Sequence, residues 1–271
     1  SINRPTPQVA KRPTPKSSNF RNRKHRLLEF DPFTFAQQLT LNEHILYSAI
    51  DQFECLDRIW HKKHANFGGS ANISKFITSS NRLTDFVSYS IVKEADGKKR
   101  AAVLQFFIQV SEQCYNLKNF SSMTAIVSAL YSSPIFRLKK TFERLPKHVL
   151  NSLDKLNTLM DSTKNFFRYR ELLKTVHDVP CVPFFGVYLS DLTFTASGNP
   201  DFLNNNPEII NFSKRLKIVT ILNEIMSFQK ITYKLKHSDD VNAFLESDMN
   251  NIPSIEKQYE LSLKIEPRAD V

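Results

Sequence analysis

The sequence predicts an all-α fold, a single large multi-helix domain preceded by a disordered basic tail. Three observations carry this reading. Apolar residues recur at i, i+3, i+4 and i+7 through most of the chain, the spacing that gathers side chains on one face of an α-helix. The 271 residues include only 5 glycines, too few for a turn-dense β-sandwich or barrel, whose tight hairpins need residues that tolerate positive φ. No internal repeat of roughly 20–50 residues is found, which disfavours a helical solenoid.

The tail comes first in the chain. Residues 1–26 contain Arg4, Lys11, Arg12, Lys16, Arg21, Arg23, Lys24 and Arg26 and no acidic residue, so they hold eight of the ten net positive charges. Residues 27–271 are nearly neutral, with 29 basic and 27 acidic side chains. The tail also holds Pro5, Pro7, Pro13 and Pro15 and almost no large apolar residue, so it cannot bury enough surface to order itself. It suits a solvated linker, or attraction to an anionic membrane surface or an acidic partner. It has no apolar segment of the kind a secretory signal needs. A chain that opens on Ser1 is expected to be an excised piece of something longer. Because the basic charge is confined to the tail, nucleic acid is not an expected partner. No stretch approaches the roughly 18–20 apolar residues that cross a bilayer, which argues against a membrane-spanning function.

After the tail come amphipathic segments separated by prolines. Thr40 and Glu43 form a capping-box pattern, and Leu39, Leu46, Ile50, Phe53 and Leu56 follow at roughly helical spacing. Phe67-Gly68-Gly69-Ser70 is a break. Ile73, Phe76 and Ile77 open a helix that Leu83, Phe86, Val87 and Ile91 continue to Asp96-Gly97. Val103, Leu104, Phe107, Val110, Cys114 and Leu117 line the next. Met123, Ile126, Val127 and Leu130 form a stripe stopped by Ser132-Ser133-Pro134, and Leu150, Leu153, Leu156 and Met160 form another. A segment from Phe167 to Val176 follows. The last long helix is expected from Pro207 to about Phe228, with Asn206 as cap, Pro207 at the first position and Glu208 at the positive end of the dipole.

Recognisable bond-making chemistry is missing. There is no GxxxxGK[ST], GxGxxG, GxSxG or HExxH. His61 and His64 stand three apart, but with no nearby carboxylate or thiol set they make a poor metal site. Lys139-Lys140 and Lys214-Arg215-Lys217 read as solvated helix faces. Cys55, Cys114 and Cys181 are too far apart for a CxxC clip, and their odd number argues against a disulfide framework. They are expected to be buried free thiols of a reducing, intracellular protein. Pattern alone therefore favours a protein-binding module.

Several motifs go further. Asn119-Phe120-Ser121-Ser122-Met123 runs through Ile126-Val127-Ser128-Ala129-Leu130 to Ser132-Ser133-Pro134-Ile135-Phe136-Arg137-Leu138. Asn165-Phe166-Phe167-Arg168-Tyr169-Arg170-Glu171, Pro180-Cys181-Val182-Pro183-Phe184-Phe185-Gly186, Gly198-Asn199-Pro200 and Ile210-Asn211-Phe212-Ser213-Lys214-Arg215 follow in order. Leu39-Thr40, Glu43, Glu54-Cys55-Leu56 and Trp60 lie near the start, and Ser262-Leu263-Lys264-Ile265-Glu266-Pro267-Arg268 near the end. Together these resemble the catalytic domain of Ras guanine-nucleotide exchange factors, most of all the fungal cell-division-cycle activators of Ras. The likeness covers about residues 30–268.

The resemblance implies a protruding helical hairpin, here about Pro180 to Phe228, that levers nucleotide out of a Ras-type small GTPase. It implies tightest binding to the nucleotide-free GTPase, no covalent chemistry, and no metal or cofactor in the domain, the Mg²⁺ belonging to the partner. Pro180, Pro183, Phe184 and Phe185 would brace the hairpin, and Gly198-Asn199-Pro200 would stop its first helix. Thr193, Ser197 and Asn199 would face the nucleotide site. In the son-of-sevenless member a leucine and a glutamate stand where this chain has Thr193 and Ser197, so exclusion by negative charge is not expected here. Thr193 is left to obstruct by bulk, and Ser197 to redirect water or an amide. Tyr131, Phe136, Arg137 and Asn165 carry over as GTPase contacts, with an internal salt bridge the alternative for Arg137. Leu192, Phe194 and Ala196 alternate with Thr193, Thr195 and Ser197, a strand pattern that only the resemblance makes helical. A non-catalytic GTPase-binding scaffold of the same fold is the alternative function.

Overall fold

The computed structural model describes residues 26–56 and 70–268. The expectations for tail residues 1–25, for Trp60, His61 and His64, and for the Phe67–Gly69 break lie outside the described residues. Within them there are twelve α-helices and no strand, only isolated bridges.

A 3-10 turn, Leu27–Glu29, leads into α1 (Pro32–Ser48). Asp31 starts this helix, its carboxylate accepting from Thr34 N at 2.9 Å with Pro32 in the first turn. Thr40 and Glu43 are therefore not a capping box. The Asp-Pro pair begins the helix two turns earlier, so both residues fall inside it and are buried. Nor does α1 run on through Phe53. Asp51 accepts from Phe53 N at 2.7 Å and starts a separate 3-10 turn, Gln52–Cys55, which leaves Phe53 65% exposed.

Helices α2 (Ala71–Val92), α3 (Gly97–Asn116) and α4 (Phe120–Leu130) follow their apolar stripes. Asp96 caps α3 through the Lys98 and Lys99 amides, and Asn119 caps α4 through Ser122 N. These helices and α1 pack on one another to form the core of the body. Aromatic rings meet edge-to-face inside it, Phe35 lying 5.4 Å from Phe106 and Phe86 lying 5.9 Å from Phe107. The chain does stop at Ser132, but Pro134 then sits in the first turn of the short α5 (Ser133–Phe136), followed by α6 (Lys139–Phe142). Next come α7 (Lys147–Leu159) and α8 (Phe167–Leu173), the latter ending short of Val176.

The hairpin consists of α9 (Gly186–Gly198) and α10 (Phe212–Ser227), and α11 (Asp239–Asp248) and α12 (Ile255–Ile265) complete the chain. The alternating segment Leu192–Ser197 is helical. Helix α10 starts five residues later than the Asn206-Pro207 pair suggests. Asn211 is its cap, accepting from Lys214 N at 3.2 Å. Asn206 instead accepts from Glu208 N at 3.0 Å and closes a loop in which Leu203 N donates to Ile209 O at 2.8 Å. An asparagine that bonds two residues ahead makes a turn, whereas one that bonds three ahead starts a helix, and local sequence does not separate the two.

Cys55, Cys114 and Cys181 are buried and unpaired. Burial pushes the Cys55 and Cys181 thiols up to about 12 and that of Cys114 further. Among the described residues, no helix is long and apolar enough to cross a membrane, and no group of His, Cys, Asp or Glu is arranged to hold a metal ion.

Candidate functional site

The entry to the hairpin is pinned to the N-terminus of α4, where backbone donors lack helical partners. Val182 O accepts from Phe120 N at 2.9 Å and Ser121 N at 3.3 Å, and Val182 N donates to Lys118 O at 3.0 Å. Pro180 is half-buried and Pro183 buried on either side of this bridge. Phe185 is buried against Tyr47 and Phe76, with centroids 6.1 and 5.8 Å apart. Phe184 is only half-buried. Its amide donates to Tyr169 Oη at 2.8 Å, and its ring leans on Phe166. The ring also lies over Gly186, where an added Cβ would fall 2.5 Å from the Phe184 Cζ, so any side chain there would displace the Phe184 ring.

The returning helix is held by the same residues. Tyr47 Oη donates to Ile225 O at 3.0 Å, Gln229 Nε2 donates to Tyr47 O at 3.0 Å, and Tyr188 Oη donates to Glu224 Oε1 at 2.9 Å. Beneath them lies a buried polar network. Asn119 Nδ2 donates to Thr40 Oγ1 at 3.1 Å, and Glu43 accepts from Ser121 Oγ at 2.7 Å. Burial pushes the Glu43 carboxyl up to about 7, against the hydrogen bonds from Ser121 and Ser79.

Beyond this base α9 and α10 pack mainly on each other, and the far end stands exposed. Phe194 is 70% and Phe212 67% exposed, and Phe202, Leu203, Ile209, Ile210, Leu216 and Val219 are exposed around them. Lys214 closes the tip from within. It is only 5% exposed, and its Nζ donates to Ala196 O, an open carbonyl of the last α9 turn, and pairs with Asp201, both at 3.0 Å. Arg215 reaches the same carboxylate at 3.0 Å, and Lys217 Nζ donates to Asn199 Oδ1 at 3.3 Å. The hydrogen bond and charge of Lys214, with help from Arg215, hold the Asp201 carboxyl below its usual range. Of Lys214-Arg215-Lys217, Lys214 is thus not part of a solvated face, whereas Arg215 and Lys217 keep solvent contact while reaching Asp201 and Asn199.

Of the residues expected to face a nucleotide site, Thr193 is half-buried and its hydroxyl donates to Leu189 O at 2.7 Å. Ser197 is exposed. Asn199 is the C-terminal cap of α9, its Nδ2 donating to Thr195 O at 3.0 Å.

The expected GTPase contacts form two groups. Asn165 lies in a left-handed run with Lys164 and Phe166, at φ of 50°, 56° and 58° for residues 164 to 166. Non-glycine residues adopt this conformation at a cost of about 1 kcal/mol each. Arg170 holds the run, donating through Nε to Asn165 O at 2.8 Å, while its Nη1 and Nη2 reach Asp191 on α9 at 2.8 and 2.9 Å. Asn165 is thereby tied to the hairpin. Tyr131, Phe136 and Arg137 gather elsewhere, on α5 and its flanks. Tyr131 and Phe136 stack at 5.7 Å, Phe136 is 50% exposed, and Lys139 Nζ sits 3.6 Å from its centroid. Arg137 makes no internal salt bridge among the described residues. Its Nη1 donates to Ser262 O at 2.6 Å.

Arg170, Asp191, Asp201 and Lys214 are absent from the sequence reading of the site. The only local signal for Lys214 is its place three residues after an asparagine cap, which puts it in the first turn of α10 facing the end of α9.

A family profile described as RasGEF domain matches residues 34–216. The chain is 58% identical over 253 residues to "Cell division control protein 25" of Saccharomyces cerevisiae, covering 93% of this chain and 16% of that protein. It is 50% identical over 252 residues to "Guanine nucleotide exchange factor SDC25" of the same yeast, covering 89% and 20%. "Cell division control protein 25" of Candida albicans is 46% identical over 256 residues, covering 94% and 19%. The chain thus spans a fifth or less of the length of these curated relatives. With the hairpin built from the motifs that carry the resemblance, and most of the body inside the matched span, this chain belongs to the RasGEF domain family.

Proposed function

We propose that this domain is a guanine-nucleotide exchange factor that promotes GDP release from a Ras-type small GTPase and so allows GTP loading. The observation that carries this reading is the hairpin, anchored at its base by Phe185, Tyr47 and the Val182 bridge and exposed at its tip. A wedge has to be stiff, since a loose one would yield before it displaced anything. No covalent bond changes, so acceleration comes from binding one state of the GTPase better than another. Each tenfold loss of nucleotide affinity needs about 1.4 kcal/mol of preference for the nucleotide-free partner. By the same reciprocity, an incoming nucleotide expels the domain. Neither GDP nor GTP is favoured, and the excess of GTP sets the outcome.

In this mechanism Thr193, Ser197 and Asn199 approach the nucleotide site. Thr193 acts by bulk because its hydroxyl is engaged by Leu189 O, and Asn199 holds the end of α9 in shape. Pro180, Pro183, Phe184 and Phe185 brace the hairpin. Tyr131, Phe136, Arg137 and Asn165 contact the GTPase, the stacked aromatic pair serving as an anchor of the kind that dominates interface energetics. The basic tail holds the protein at the anionic cytoplasmic face of the membrane where its GTPase resides.

Release of a fluorescent GDP analogue from a purified Ras-type GTPase tests the proposal. The domain should accelerate release, and Arg137→Glu should abolish the acceleration in a protein that still melts cooperatively. Unchanged release at micromolar domain would retire the exchange reading. If binding to the GTPase nevertheless persisted, the scaffold reading would take its place.

A further inference from the structure

Helix α12 lies beyond the residues matched to the family, 34–216, yet it is joined to the segment that carries Phe136 and Arg137. We propose that α12 is a positioning element for Arg137, with Tyr259 as its central residue. The inference rests on the reading of Arg137 as a GTPase contact and adds what holds that contact in place.

Three partners converge on Arg137. Its Nη1 donates to Ser262 O at 2.6 Å and reaches Ser262 Oγ at 3.4 Å, and its guanidinium carbon lies 5.9 Å from the centroid of the Tyr259 ring. The ring is itself fixed, because Arg268 Nη2 donates to Tyr259 Oη at 3.0 Å. That hydrogen bond, with the charges of Arg268 and Arg137, holds the Tyr259 hydroxyl below its usual range. Ser262 is fully buried, and its hydroxyl donates to Tyr259 O at 2.6 Å, so the two residues move as one.

A turn further along, the buried Glu266 locks the register. It accepts from Thr141 Oγ1 at 2.6 Å and Lys140 N at 3.1 Å, and it lies 3.5 Å from Arg100 Nη2. Helix α12 is thus fastened to the segment just past Arg137, and Arg137 is then fastened to α12.

The chemistry of these partners separates positioning from mere adhesion. A carbonyl, a hydroxyl and a π face orient a guanidinium without cancelling its charge, and among the described residues no carboxylate pairs with Arg137. The side chain has five donors, more than Ser262 accepts, so hydrogen-bonding capacity and charge remain for an acidic group on a partner. An arginine already held in one rotamer loses less freedom on docking than a mobile one. The benefit of Tyr259 should therefore appear in affinity for the GTPase and not in the maximal exchange rate.

The test is a double-mutant cycle on GDP release, measured as a function of GTPase concentration. Tyr259→Ala should raise KM by roughly tenfold with kcat within about twofold of the parent. Tyr259→Leu, which keeps bulk but has no π face, should behave like Tyr259→Ala, and Tyr259→Phe, which keeps the π face but loses the hydroxyl that Arg268 holds, should fall between Tyr259→Ala and the parent. In an Arg137→Ala background, Tyr259→Ala should add nothing. An equal KM penalty in both backgrounds would overturn the inference. So would a normal KM for Tyr259→Ala alongside a raised one for Arg137→Ala. If Arg137→Ala itself left KM unchanged, the contact reading of Arg137 would fall, and this inference with it.

Discussion

Glu43 shows how far a single side chain can depart from its solution behaviour. It is buried between α1, α2 and α4, with two serine hydroxyls for company, and its carboxyl is pushed up to about 7 by that burial. An acid whose pKa is raised on folding takes up a proton as the chain folds. Its contribution is therefore full below the ordinary carboxylate range and is lost as pH rises through about 7. Over that window the change is on the order of 3 kcal/mol. Urea unfolding of the parent and of Glu43→Gln should accordingly diverge between pH 5 and pH 8, with the glutamine form gaining relative stability as pH rises. Parallel profiles would show that the carboxyl titrates normally. Sequence proximity points to Glu43 as a helix-start residue, because its real partners, Ser121 and Ser79, lie far along the chain. Lys214 is misjudged for the same reason. Three cations in four residues look like a wetted face until α9 is placed against them.

At the scale of the element, helices that pack inside the body were legible and the hairpin was not. Helices α2, α3, α4 and α7 each turn one stripe inward, so the period of their apolar residues matches the helix. Helix α9 buries Leu192 yet leaves Phe194 exposed. An element with apolar residues on more than one side shows no clean period and passes for a strand, and only the family likeness made this one helical. The hairpin also depends on a clamp that no pattern shows. Replacing Asp201 with asparagine removes the charge that faces Lys214, and Lys214→Met removes the donor that closes Ala196 O. Either change should leave the core intact and loosen the last turn of α9. Amide exchange there should rise by roughly tenfold, and nucleotide release should slow with it. Unchanged protection in that turn would show that Lys214 is incidental to the tip.

Over the whole molecule, the helical class followed from composition and periodicity, because scarce glycine and repeated amphipathic stripes leave few other ways to build a core. The boundaries of α1 and α10 did not follow, since each depends on which of two polar residues wins as cap. The division of charge is also a whole-molecule property. Each Lys or Arg near an anionic surface contributes about 1 kcal/mol at low screening. Removing residues 1–25, while keeping Arg26 for the turn before α1, should abolish co-sedimentation with phosphatidylserine vesicles and leave exchange in solution unchanged. Equal sedimentation by both forms would assign the tail no role at the surface. The three cysteines bear on how such experiments can be done. Thiols that ionise only near pH 12 or above scarcely react with maleimides at neutral pH. A cysteine engineered at an exposed tip position such as Phe194 would be labelled almost alone, giving a fluorescent reporter of hairpin insertion without removing any native sulfur.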